Sequence, residues 1–161
     1  MWYYMILADC FADNAYSGGD DVDINNVFLR DLTPRNAVVM KSWKSLYGSI
    51  MRCNVALKYI PQINDPLLDA EAFTGVSKRE EMLGEASFLR ALHYFNLVKT
   101  WGCVPVVTTT GSTAPADVQV PRADSEEEVY ARIIEDLEFA LTRLPDKRAT
   151  EAETRGFASK G

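Results

Sequence analysis

Histidine and cysteine are scarce in this chain: one His and three Cys in 161 residues. Cys10, Cys53 and Cys103 are widely spaced with no C-x-x-C pair, so they read as free thiols behaving as small hydrophobes. A structural zinc site needs four closely grouped ligands, and His93 alone adds little, so neither a metal nor a cofactor is expected. Positive charge is short as well. A net charge of −6 and a pI near 4.8 argue against nucleic acid, whose phosphates need a basic footprint. No stretch approaches the ~20 apolar residues of a membrane span. There is no phosphate-cradling glycine loop, and Ser87 lacks the glycine pattern of a nucleophile elbow.

The start of the chain is apolar from Met1 to Ala8, and Leu7-Ala8-Asp9-Cys10 superficially suggests a lipoprotein cleavage site. No Lys or Arg precedes Cys10, and Asp9 stands where a small uncharged residue is needed. Cys10 therefore reads as an ordinary helix residue, and the chain as given is expected to lack both an export signal and a lipid anchor.

What remains is ordinary globular composition, 47% hydrophobic and 25% charged. The length suits one domain able to bury about two-thirds of its unfolded surface. Four helical blocks stand out. Residues 2–13 carry an apolar stripe at Trp2, Met5 and Ile6 beside an acidic one at Asp9 and Asp13. Asn14 to Pro34 reads as a polar loop around the turn signal Ser17-Gly18-Gly19-Asp20-Asp21. Thr33 as N-cap and Pro34 at the first position then open a second helix. Its stripe is Val39, Trp43, Leu46, Ile50, Cys53, Leu57 and Ile60, and Pro61 marks its end.

Ser77-Lys78-Arg79-Glu80 is a capping-box pattern opening a third helix that Gly102 closes. Its apolar and aromatic residues cover more than one face, which predicts the most buried helix of the set. Ser125-Glu126-Glu127-Glu128 opens a fourth, with the stripe Tyr130, Ile133/Ile134, Leu137, Leu141 and Leu144 before Pro145. Helix starts near 34, 77 and 125 are spaced wider than the ~34-residue tetratricopeptide period. Paired antiparallel helices could still stack in a similar way. Thr108 to Asp124, polar and containing Pro115 and Pro121, reads as a long surface connection.

Four stretches, in order, resemble the SusD/RagB family. The helix Trp43-Lys44-Ser45-Leu46-Tyr47-Gly48-Ser49-Ile50-Met51-Arg52-Cys53-Asn54 is similar to that family's Trp-x-x-Leu-Tyr-x-x-Ile-x-Arg-x-Asn pattern. Gly84-Glu85-Ala86-Ser87-Phe88-Leu89-Arg90-Ala91, running on to Gly102-Cys103-Val104-Pro105, resembles its central helix and Val-Pro exit. Tyr130 to Leu137 with Leu144-Pro145 resembles the next helix, and Arg155 with Lys160-Gly161 the opening of the one after.

The resemblance implies a mainly α fold of antiparallel helix pairs with tetratricopeptide-like stacking and long connecting loops. Residues 1–161 would form a partial N-terminal helical domain, truncated at both ends. Its unpartnered last helices should leave apolar surface uncovered. The implied function is capture of a glycan or other nutrient at the cell surface, for uptake through a SusC-like TonB-dependent outer-membrane transporter. Membrane association would come only through a lipid anchor absent from this chain.

Sugar binding needs an aromatic face against the C–H side of a pyranose, with Asp, Asn and Arg reaching its hydroxyls. The first loop offers Asn14, Tyr16, Asp20, Asp21, Asn25, Asn26 and Arg30, and by resemblance lies near the family's ligand face. Tyr16 is the preferred stacking residue; Trp43 belongs to an apolar stripe and reads as core. Catalysis is not expected. His93 sits among Leu89, Leu92 and Phe95 as a packing histidine, and nothing fixes Glu85 and Asp136 as a carboxylate pair. Glu85 and Arg90 read as groups satisfying backbone or inter-helix partners. The competing reading is a helical-repeat scaffold that docks a protein partner.

Overall fold

The computed structural model describes residues 2–12, 15–73, 75–110, 120–146 and 157–160. It is mainly helical: α1 (Trp2–Phe11), α2 (Val22–Phe28), α3 (Ala37–Tyr59), α4 (Pro66–Asp69), α5 (Lys78–Trp101) and α6 (Glu126–Leu141). A two-stranded antiparallel ribbon, β1 (Glu71–Phe73) and β2 (Val76–Ser77), pairs Glu71 with Ser77 and Phe73 with Val76. The chain divides into two compact units, Met1–Gly48 and Ser49–Gly161.

In the first unit α1 packs on α2, and Leu7, Cys10, Val27, Val38 and Leu46 are buried. The stretch read as one polar loop from Asn14 to Pro34 contains α2. Asp21 starts that helix by accepting from the backbone N–H groups of Asp23 (2.9 Å) and Ile24 (3.1 Å). The start of α3 also differs from expectation. Its N-cap is Asn36, whose Oδ1 accepts from Val38 N (3.0 Å) and Val39 N (3.3 Å). The Asn36 Nδ2 donates to Asp23 O at 2.8 Å, binding the new helix to α2. Thr33 serves only as the acceptor of a turn bond from Asn36 N. A buried Asn that satisfies both ends of its amide fixes a helix start more firmly than an exposed Thr.

The second unit is built on α5, which supplies the buried Leu83, Ala86, Ala91, Tyr94, Leu97 and Val98. Ser77 Oγ accepts from Glu80 N (3.2 Å) at its start. Gly102 closes it with φ +66°, a conformation costly for any residue with a Cβ. The pair α5·α6 is antiparallel. Gly84, near the start of α5, lies so close to the end of α6 that a Cβ there would come within 2.8 Å of Arg143 Cβ. At the opposite end, the Glu126 carboxylate lies beside Gly102.

The buried face of α6 is Val129, Ile133, Asp136 and Ala140, continued by Leu144. Tyr130, Ile134, Leu137 and Leu141 of the expected stripe point outward, 37–59% exposed. The inward row includes a carboxylate, so an apolar count selects the wrong face. Uncovered apolar surface is therefore present, as the resemblance implied.

The short elements before α5 are fastened by Arg79. It holds Asp69 of α4 through Nε (2.8 Å) and donates from Nη1 to Ile60 O (2.6 Å) in the 3₁₀ turn Ile60–Gln62. That contact holds the Asp69 carboxyl below its ordinary value. Among the described residues no helix is long and apolar enough to cross a membrane.

Candidate functional site

Of the seven residues proposed to meet a ligand, Asn14 lies outside the described residues. Tyr16 is 78% exposed. Its ring meets Phe28 of α2 edge-on, with centroids 5.2 Å apart and planes at 86°. The contact fixes the ring's orientation while most of its surface stays exposed, which suits a stacking platform. Asn25 fastens the preceding loop to α2: its Nδ2 donates to Gly19 O (3.1 Å), and its Oδ1 accepts from Ser17 Oγ.

Asp21 is committed to the start of α2, with its carboxylate still exposed. Asp20 beside it is exposed, and Asn26 is half-buried on α2. Arg30 follows α2 with φ +61° and sets its guanidinium 5.8 Å from the centre of the Phe11 ring. The residues thus share one loop–helix–loop segment. Tyr16 supplies an apolar face; Asp20 and Asp21 supply acceptors and Arg30 a donor for hydroxyl groups.

The most highly organised polar cluster is in the second unit. Arg90 donates from Nε to Asp136 Oδ2 (2.8 Å) and from Nη2 to Oδ1 (2.7 Å), while its Nη1 reaches Asn54 Oδ1 (2.7 Å). Arg132 also donates to Asp136, and Ser87 Oγ donates to the Asp136 carbonyl at 3.0 Å. The paired use of Arg90 agrees with its reading as an inter-helix partner.

The cluster continues outward. Asn54 Nδ2 donates to Val107 O (2.9 Å) and Thr109 O (3.2 Å). Tyr94 donates its hydroxyl to Val107 O (2.9 Å) and accepts from Val107 N (2.7 Å). Burial pushes the Tyr94 phenol up to about 12. These bonds set the path of the extended segment after α5, where an open groove of about 390 Å³ is lined by Asn54, Leu57, Lys58 and Thr108 to Thr110.

Groups that might carry chemistry are otherwise engaged or buried. Burial lowers the His93 imidazole below its ordinary value. The same effect raises the Cys53 thiol, the opposite of what a reactive thiolate requires. Glu85 accepts from Ala158 N at 3.3 Å. Among the described residues no group of three or more His, Cys, Asp and Glu could hold a metal ion.

Antiparallel helix pairing of this kind, with a polar knot between α5 and α6, defines a mainly helical protein of tetratricopeptide-like build. A family model described as starch-binding and associating with the outer membrane, SusD-like, matches residues 5–159, and the chain belongs to that family. It is 33% identical over 122 residues to SusD-like protein P38 of Formosa agariphila, an alignment covering 76% of this chain and 22% of that protein. A solved SusD superfamily protein from Parabacteroides distasonis superposes with a TM-score of 0.73 at 27% identity, over 92% of this chain and 30% of the other. A laminarin-binding SusD-like protein has the same fold, with a TM-score of 0.72 at 23% identity over 98% of this chain and 35% of that one. The chain therefore spans less than a third of the length of the relatives in the first two comparisons.

Proposed function

We propose that this chain is part of a non-enzymatic glycan-capturing protein of the outer membrane. It holds oligosaccharide at the surface for a partner TonB-dependent transporter. The observation carrying this reading is the match of residues 5–159 to a starch-binding family. The laminarin-binding relative of the same fold supports glucan as the ligand class. Asn14, Tyr16, Asp20, Asp21, Asn25, Asn26 and Arg30 form the proposed ligand segment. Tyr16 stacks on a sugar ring, Asp20 and Arg30 take hydroxyls, and Asp21 and Asn25 chiefly hold the segment in shape.

Calorimetric titration with malto- and laminari-oligosaccharides tests it. Tyr16→Ala is expected to weaken binding by about tenfold, the scale of one lost aromatic contact with its buried area. Asp20→Ala should weaken it less. Unchanged affinity in both variants removes this segment as the site, and no heat with either glucan series removes glucan as the ligand.

A further inference from the structure

The groove beside the extended segment after α5 is separate from the proposed ligand segment and lies wholly in the second unit. Its volume of about 390 Å³ falls within the range of small-molecule sites, roughly 300–1,000 Å³. Asn54, Leu57 and Lys58, on the last turns of α3, line one side; Thr108 to Thr110 line the other. The buried knot fixes the two sides together. Arg90 Nη1 donates to Asn54 Oδ1, so the amide presents Nδ2 to Val107 O and Thr109 O. Lys58 stands one turn beyond Asn54, and the threonines follow directly from Val107. The groove is therefore shaped before any ligand arrives, which lowers the cost of binding.

Its chemistry selects a negative group. Among the described residues that line it, Lys58 carries the only charge. Lys58 Nζ donates to Thr110 Oγ1 at 2.9 Å and lies 5.2 Å from the centre of the Tyr59 ring, which also steadies it. An ammonium has three donors, and the bond to Thr110 uses one. The Thr110 hydroxyl, as acceptor of that bond, keeps its own proton to donate beside them. Donors that converge in this way meet the oxygens of a carboxylate or a sulfate. Thr108 and Thr109, both exposed, add hydroxyls that pair with those of a sugar, and Leu57 adds apolar surface.

We propose that this groove binds an acidic saccharide unit, its carboxylate or sulfate on Lys58 and Thr110 and its hydroxyls on Thr108 and Thr109. That the ligand is a saccharide rests on the glycan-capture reading above; that it is acidic rests on the groove alone.

Calorimetric titration of the complete polypeptide that carries this chain tests it. The probes are trigalacturonate, its fully methyl-esterified form, a sulfated carrageenan tetrasaccharide and, alongside, laminaritetraose. An acidic probe is expected to bind about tenfold tighter than the methyl ester, and more weakly as salt is raised. Which acidic probe binds distinguishes carboxylate from sulfate. Lys58→Met should weaken that binding by about tenfold, the scale of one charge-assisted hydrogen bond, and Lys58→Arg should retain most of it. Lys58 is exposed, so neither variant should move the unfolding temperature. The bound acidic probe should also shield Lys58 from acetylation, read by mass spectrometry, while the exposed Lys44 stays reactive. Equal binding of the methyl ester, no binding of either acidic probe, no shielding of Lys58, or unchanged affinity in Lys58→Met would each overturn the proposal. Heat from laminaritetraose alone would remove the groove as a site and leave glycan capture standing.

Discussion

Arg90 and Asp136 close a two-pronged ion pair between α5 and α6, with N–O distances of 2.8 and 2.7 Å and side chains only 8% and 1% exposed. A buried pair adds little over a well-packed apolar substitute, yet removing one partner leaves a charge stranded. Arg90→Met is therefore expected to destabilise by about 3 kcal/mol, the lower end for such losses, because Arg132 still reaches Asp136. Arg90→Lys should fall between, since one ammonium cannot serve both carboxylate oxygens and Asn54. The double variant Arg90→Met/Asp136→Leu should recover much of the loss. Urea unfolding of the wild type, both Arg90 variants, Asp136→Leu and the double variant decides it; a double-variant loss equal to the sum of the Arg90→Met and Asp136→Leu losses would refute the coupling.

Tyr94 extends that cluster to Val107 and brings a pH dependence of defined sign. Its folded value near 12 stands above the ordinary 10.0, so the folded state favours the protonated phenol. The resulting stabilisation is complete below pH 10 and is lost as pH rises from 10 towards 12, by up to about 3 kcal/mol. Tyr94→Phe removes the titrating group and orphans Val107 N–H; Val107 O keeps Asn54 as donor. At pH 9 the variant should be less stable by about 1–2 kcal/mol. The gap should narrow between pH 10 and 12. Paired denaturation curves across that range measure it, and a constant gap would contradict the assignment.

The four long helices were legible because their signals are local. Ser77, Gly102, Pro61 and Pro145 mark their ends with backbone chemistry that needs no knowledge of neighbours. What escaped depended on partners distant in sequence. The inward face of α6 turns on Asp136, a residue any apolar count discards, and its burial makes sense only once Arg90 and Arg132 are opposite it. The short α2 was hidden because Asn25 and Asn26 lower helix propensity, while the amide of Asn25 is in fact used to brace the turn before it. Asp21 had looked like a free sugar-binding acid for the same reason. One available clue was Asp21 two residues before Asp23, at the head of the apolar Ile24, Val27 and Phe28, which is an N-cap pattern. The ligand segment itself was visible as a cluster of residue types, but the edge-on support of Tyr16 by Phe28 was not.

Two serines with the same sequence pattern separate a formed cap from a nominal one. Ser77 Oγ accepts from Glu80 N at the start of α5, and the Glu80 carboxylate turns away to Arg143 near the end of α6. Ser125 stands at the same position before α6 but makes no side-chain bond to the helix backbone. Its hydroxyl instead bonds the Glu127 carboxylate, which holds that acid below its ordinary value, while Glu128 reaches back to Asp124 N at 3.0 Å. Ser77→Ala removes an acceptor from a helix start and should cost about 1 kcal/mol. Ser125→Ala leaves the Glu128 contact to Asp124 in place and should cost no more than about 0.5 kcal/mol, the range of an ordinary surface change. Thermal unfolding of both variants under one buffer compares them. Equal losses would mean that Ser125 caps α6 in solution through a rotamer that gives up Glu127.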